Sequence, residues 1–96
     1  MRFVVIFEDQ PGMLDIRRER GDQHLQYLAQ HANEIRVAGG LKESNESPFV
    51  GGLWIMDVAS RDRALELIES DPYYSPEHRG FRLLVWNKVQ TAPVTL

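Results

Sequence analysis

The side chains best suited to proton transfer in this 96-residue sequence are three histidines, His24, His31 and His78. Imidazole is the side chain whose ordinary ionisation falls in the middle of the pH range, so each is a candidate acid or base. His24 differs from the other two in its neighbourhood. Arg17 precedes it by seven positions, two turns of a helix, so on an unbroken helix both lie on one line along its surface. An imidazole in line with a guanidinium suits a general base next to an anion site. The plainer reading is a histidine at the edge of an apolar stripe that packs its ring and makes one hydrogen bond. Asp71 also has two readings. In Asp71-Pro72-Tyr73-Tyr74 it can cap a short turn with Pro72 at the first position. Its carboxylate can equally orient an imidazole and fix the tautomer, and the two roles are compatible. Tyr73 and Tyr74 fit either packing or the wall of a cleft for an aromatic ligand.

Other chemistries find no support in the residue types. The sequence has no cysteine, hence no thiolate nucleophile, disulfide or cysteine-based metal site. No H-x-H, H-x-x-x-H or H-E-x-x-H spacing occurs, and His24 and His31 stand two turns apart, so no metal is expected. Gly39-Gly40 and Gly51-Gly52 lack the helix-initiating pattern of a phosphate cradle and read as tight turns or close backbone approaches. Arg17, Arg18 and Arg20 alternate with Asp15, Glu19 and Asp22, the pattern of a solvated helix face.

The elements that must position these residues follow from periodicity. Residues 2–8 are β-branched and aromatic and end at the turn Asp9-Gln10-Pro11-Gly12, which predicts a strand. Residues 13–33 predict a helix with an apolar stripe of Leu25, Leu28, Ala29 and Ala32, which puts His24 about 90° from its centre. Gly21 is a potential break. Residues 35–38 predict a second strand, 42–48 a polar loop and 53–59 a third strand. Ser60 predicts the N-cap of a helix carrying Ala64, Leu65 and Ile68 inward, stopped at Asp71-Pro72 because a residue before proline avoids the helical region. Residues 81–89 predict the last strand. The order β-α-β-β-α-β describes one α+β domain over 1–96, a ferredoxin-like four-stranded antiparallel sheet with both helices on one face.

The last two strands are apolar on both faces: Leu53 and Ile55 oppose Trp54, Met56 and Val58, and Leu84 and Trp86 oppose Phe81, Leu83 and Val85. An open face of that kind is normally covered. A homodimer packed sheet to sheet, with Trp54, Trp86 or both between the sheets, is the expected cover. Eleven Lys+Arg against fourteen Asp+Glu give a net charge of −3, which offers no footprint for nucleic acid or an anionic membrane. No apolar run approaches a membrane span, and Met1–Asp9 is too short and acidic for an export signal, so the cytoplasm is the expected location.

Several segments together carry a family resemblance. Ile6-Phe7-Glu8-Asp9 with Pro11-Gly12-Met13, Arg17 with His24-Leu25 and Tyr27-Leu28, Ala38-Gly39 with Leu41, Gly51-Gly52-Leu53-Trp54-Ile55, Asp71-Pro72-Tyr73 and Trp86-Asn87-Lys88 occur in order over nearly the whole chain. The sequence resembles the YciI-like (YCII-related) family. The resemblance implies a dimeric α+β barrel and a His–Asp active-site pair in a cleft, falling on His24 and Asp71; Arg17, in line with His24, and Tyr73, beside Asp71, are the substrate-binding candidates from the residues themselves. Residues and resemblance together give the expectation of a small acid–base enzyme, lyase or isomerase in type, acting without a cofactor on a small metabolite, with aromatic compounds among the candidates. One relative is associated with dehydrochlorination of a chlorinated hydroxyquinol. A non-catalytic dimeric module that binds a small ligand is the alternative, and a purely structural dimer a third reading. The chain departs from the pattern at Gly40, where relatives carry proline, and over Ser75–Gly80, where they often carry Ala-Gly-Leu. The second departure adjoins the expected cleft and leaves the substrate unassigned.

Overall fold

Alternating side chains in Arg2–Asp9 give strand β1, which sends Phe3, Val5 and Phe7 to one face and Val4 and Ile6 to the other. The computed structural model describes residues 1–96. β1 is followed by helix α1 (Met13–Gln30), strands β2 (Ile35–Lys42) and β3 (Phe49–Asp57), helix α2 (Arg61–Ser70) and strand β4 (Arg79–Val85). β1 pairs antiparallel with β3 on one side and β4 on the other, giving the sheet order β2-β3-β1-β4. This is the ferredoxin-like α+β arrangement. Phe3, Val5, Phe7, Trp54 and Met56 form a core with Ala64, Leu67 and Ile68 of α2. The Ser60 hydroxyl caps α2 by accepting from the Arg63 N–H at 3.1 Å, and the extended backbone of Asp71 before Pro72 ends the helix. No helix is long and apolar enough to cross a membrane.

Three differences from the sequence reading bear on function. α1 runs unbroken through Gly21 and ends three residues early, and it is rotated relative to the expected stripe. Leu25, Ala29 and Ala32 are exposed, whereas Met13, Ile16, Arg17, His24, Tyr27 and Leu28 are turned inward. His24 therefore sits within the sheet-facing row, and Arg17 shares that row instead of a solvated face.

β2 and β3 are also longer than their apolar runs. β2 continues through Gly39-Gly40, and β3 begins at Phe49, because the two strands pair across both glycine pairs. A side chain at Gly51 would collide with the Phe7 carbonyl oxygen, so this glycine is required for a close backbone approach. Trp54 lies in the helix-side core, 2% exposed and edge-on to Phe7, with ring centroids 5.1 Å apart. Only Trp86 belongs to the opposite face, 39% exposed beside Val4, Leu53 and Ile55.

Candidate functional site

A cleft of about 340 Å³ lies between α1 and the β2–β3 pair. Its walls come from α1 (Arg17, His24), the sheet (Phe7, Trp54), the start of β3 (Phe49) and the segment after α2 (Tyr73).

His24 is positioned by its inward helix face and held by Asp71. Its Nδ1 lies 2.7 Å from Asp71 Oδ1, with side chains 13% and 2% exposed. The same carboxylate oxygen accepts the Tyr73 backbone N–H at 3.1 Å, and the Asp71 carbonyl accepts the Tyr74 N–H at 2.8 Å. Asp71 thus caps the turn after α2 and holds the imidazole at once. An ionised carboxylate only accepts, so in the neutral imidazole this pairing favours the tautomer with the proton on Nδ1 and the lone pair on Nε2. The His24 and Tyr73 rings stack in parallel, with centroids 3.8 Å apart and 8° between planes.

Tyr73 stays in its neutral hydroxyl form. Burial raises its pKa, and the nearby Arg17 and Arg79 charges only partly offset the effect. Its hydroxyl lies beside Gly21, where an added Cβ would make an ordinary van der Waals contact at 3.5 Å, so the phenol does not require a glycine there. Tyr27, one turn beyond His24, donates to the Leu67 carbonyl at 2.7 Å, and burial together with the Asp71 charge pushes it up to about 12.

Below this pair lies a second charged cluster. The Asp9 carboxylate, 2% exposed, accepts from Arg79 Nε at 2.6 Å and from Arg17 Nη2 at 2.9 Å. Burial opposes ionisation of Asp9, but hydrogen bonds and charge from Arg79 and Arg17 outweigh it and lower the pKa. Arg17 Nη2 also donates to the Gly51 carbonyl at 2.9 Å. Its Nε is buried without a partner. The flat guanidinium lies over Phe49 at 4.5 Å and Tyr73 at 5.4 Å from the ring centroids.

The structure thus brings together His24, Asp71, Arg17 and Tyr73. Asp9, Arg79 and Phe49 belong to the same site and carry no local signal: Asp9 meets Arg79 only through the β1–β4 register. His31 packs on Tyr27, and His78 pairs with the Ser75 hydroxyl at 2.9 Å, both outside the cleft. No three His, Asp or Glu side chains gather as a metal-holding group.

The family model of the YCII-related domain matches residues 1–87. Among solved structures, the chain is similar to 5-chloro-2-hydroxyhydroquinone dehydrochlorinase (TftG) from Burkholderia phenoliruptrix AC1100 in complex with 2,5-dihydroxybenzoquinone. The TM-score is 0.78 at 25% identity, over 91% of this chain and 94% of that one. No curated protein matches the chain.

Proposed function

The chain belongs to the YCII-related family, and we propose that its cleft is the active site of a small acid–base enzyme, lyase or isomerase in type. The substrate is a small planar metabolite, aromatic or quinoid, with an acidic hydroxyl or carbon acid. The observation that carries this reading is the pairing of His24: Nδ1 lies 2.7 Å from a buried carboxylate, and the ring lines the cleft. Nε2 is then the proton acceptor. It takes a proton from the substrate, and the imidazolium formed is stabilised by the Asp71 charge. The substrate keeps the electron pair. In an elimination that pair expels a leaving anion; in an isomerisation His24 returns the proton to another atom.

Arg17 supplies the complementary end. Its orphaned Nε–H is a donor without an acceptor, a state that costs about 1–3 kcal/mol when buried. Nε is shut off from the open cleft and Nη2 is committed to Asp9 and the Gly51 carbonyl, so an anionic oxygen of the substrate would be met by Nη1 of the cleft-lining guanidinium. His24 and Arg17 both lie against the Tyr73 ring, 3.8 and 5.4 Å from its centroid. The similar dehydrochlorinase was solved with a dihydroxybenzoquinone, a ligand of this class.

The test is a panel of hydroxylated phenols, quinones and lactones assayed for turnover and for binding with the wild-type chain and His24→Ala. Turnover of a panel member should fall by a factor of about 10²–10⁴ in the variant, while its binding persists. Binding that survives His24→Ala with no turnover in either protein would instead assign a non-catalytic small-ligand module.

The assembly proposed is a homodimer. Val4, Leu53, Ile55 and Trp86 line an apolar groove on the helix-free face, and a hollow of about 550 Å³ separates that face from residues 86–96. Burying such a face yields ~25 cal/mol per Å² of apolar surface. Light scattering should give about twice the 11.1 kDa chain mass. Trp86→Glu should give a monomer or aggregate, and a folded wild-type monomer at micromolar concentration would remove the dimer.

A further inference from the structure

The β2 side of the cleft is almost bare. Ala38, Gly39 and Gly40 line it, and a Cβ on Gly39 would find nothing within 4 Å. The one bulky side chain on this side is Phe49, which is 38% exposed. Its ring occupies the space that a side chain at position 40 would need, since a Cβ on Gly40 would come within 2.5 Å of the ring. Two cations hold the ring in place, the Arg17 guanidinium at 4.5 Å and the Lys42 ammonium at 4.6 Å from its centroid. The bare backbone of Gly40 thus seats an aromatic ring against the anion-binding end of the cleft.

We propose that Phe49 is the specificity-determining residue of the site: seated on Gly40, it forms the wall that holds a single planar ring beside Arg17 and shuts out fused two-ring ligands. This rests on the reading of the cleft as a site for ring-shaped acids. The other bulky sheet residues lining the cleft, Trp54 and Phe7, are packed into the core, and the β2 positions are glycines and an alanine, so Phe49 is the exposed bulky side chain that can set the width. A flat face is also what an offset-stacked ring ligand requires.

The experiment titrates 2,5-dihydroxybenzoquinone and the two-ring 2-hydroxy-1,4-naphthoquinone against the wild type, Phe49→Ala and Gly40→Ala by calorimetry, with melting curves as a control for folding. The wild type should prefer the single ring. Phe49→Ala should weaken single-ring binding about tenfold and bring the two-ring probe level with it or ahead. Gly40→Ala, which displaces the ring, should also weaken single-ring binding. If Phe49→Ala does not fold, Phe49→Leu keeps the bulk and removes the flat face; it should weaken the single ring without admitting the larger one. The same ratio of the two dissociation constants in the wild type and the Phe49 variant overturns this assignment alone. A wild-type chain that takes up neither probe removes the ring-binding reading and this assignment with it.

Discussion

Asp9→Ala should destabilise the fold by about 3–5 kcal/mol, because two guanidinium groups lose the counter-charge they share. The Asp9 carboxylate is the acceptor for Arg79 Nε and Arg17 Nη2, and Arg79 itself is only 6% exposed on its side chain. Removing Asp9 leaves one guanidinium buried and a second nearly so, with the charge between them gone. Thermal unfolding should report a fall of more than 10 °C, since 1 kcal/mol shifts a domain of this size by about 4–8 °C. A loss under about 1 kcal/mol would show that water reaches the arginines freely and that the cluster is not buried in solution.

The same group sets an acid limit with a defined sign. The folded-state pKa of Asp9 is depressed, so its stabilisation is fully present above the ordinary 3.8 of an aspartate and lost as pH falls through the folded value. Asp9→Asn keeps an acceptor oxygen and removes the titration. Its stability should vary less than that of the wild type on the acid side of 3.8. The cluster also links stability to the site. Arg17 lines the cleft while Asp9 and the Gly51 carbonyl hold its Nη2.

The strands were legible where burial decides residue type. Phe3, Val5 and Phe7 alternate because one face of β1 meets the core, and the chain order of the elements follows directly. Strand ends at Gly39-Gly40 and Gly51-Gly52 were not legible, because glycine read locally signals a turn, whereas here the β2–β3 ladder continues over it. The inward face of α1 was misjudged for a related reason. A helix that borders a cleft turns Arg17, His24 and Tyr27 toward the sheet and leaves Leu25 64% exposed, so hydrophobicity no longer marks the buried side. Family resemblance, not periodicity, singled out the His24–Asp71 pair. Nothing local marks Asp9, Arg79 or Phe49: each acquires its partner through strand pairing or across the cleft.

Asp71→Asn should separate the two roles that one carboxylate plays. As a cap, Asp71 accepts the Tyr73 N–H, and asparagine caps about as well, so the turn after α2 and the melting temperature should change little. As the partner of His24, the group loses its charge. If the amide oxygen stays in place, Nδ1–H is still accepted, but the imidazolium formed on proton transfer is no longer countered by an anion. If the amide turns over, its NH₂ faces Nδ1 and forces the proton onto Nε2, which removes the lone pair from the cleft. On the proposed acid–base reading, either outcome should lower kcat by a factor of about 10²–10⁴, with KM changed little because the variant still presents the same cleft walls. ¹⁵N chemical shifts of the His24 ring read the tautomer directly and distinguish the two outcomes. A variant with unchanged kcat on a substrate that the wild type turns over would reduce Asp71 to a cap and remove His24 as the proton acceptor. A variant that unfolds would place the carboxylate in the packing of the turn, and the ¹⁵N shifts of the wild-type imidazole would then still report whether Nε2 is the unprotonated nitrogen.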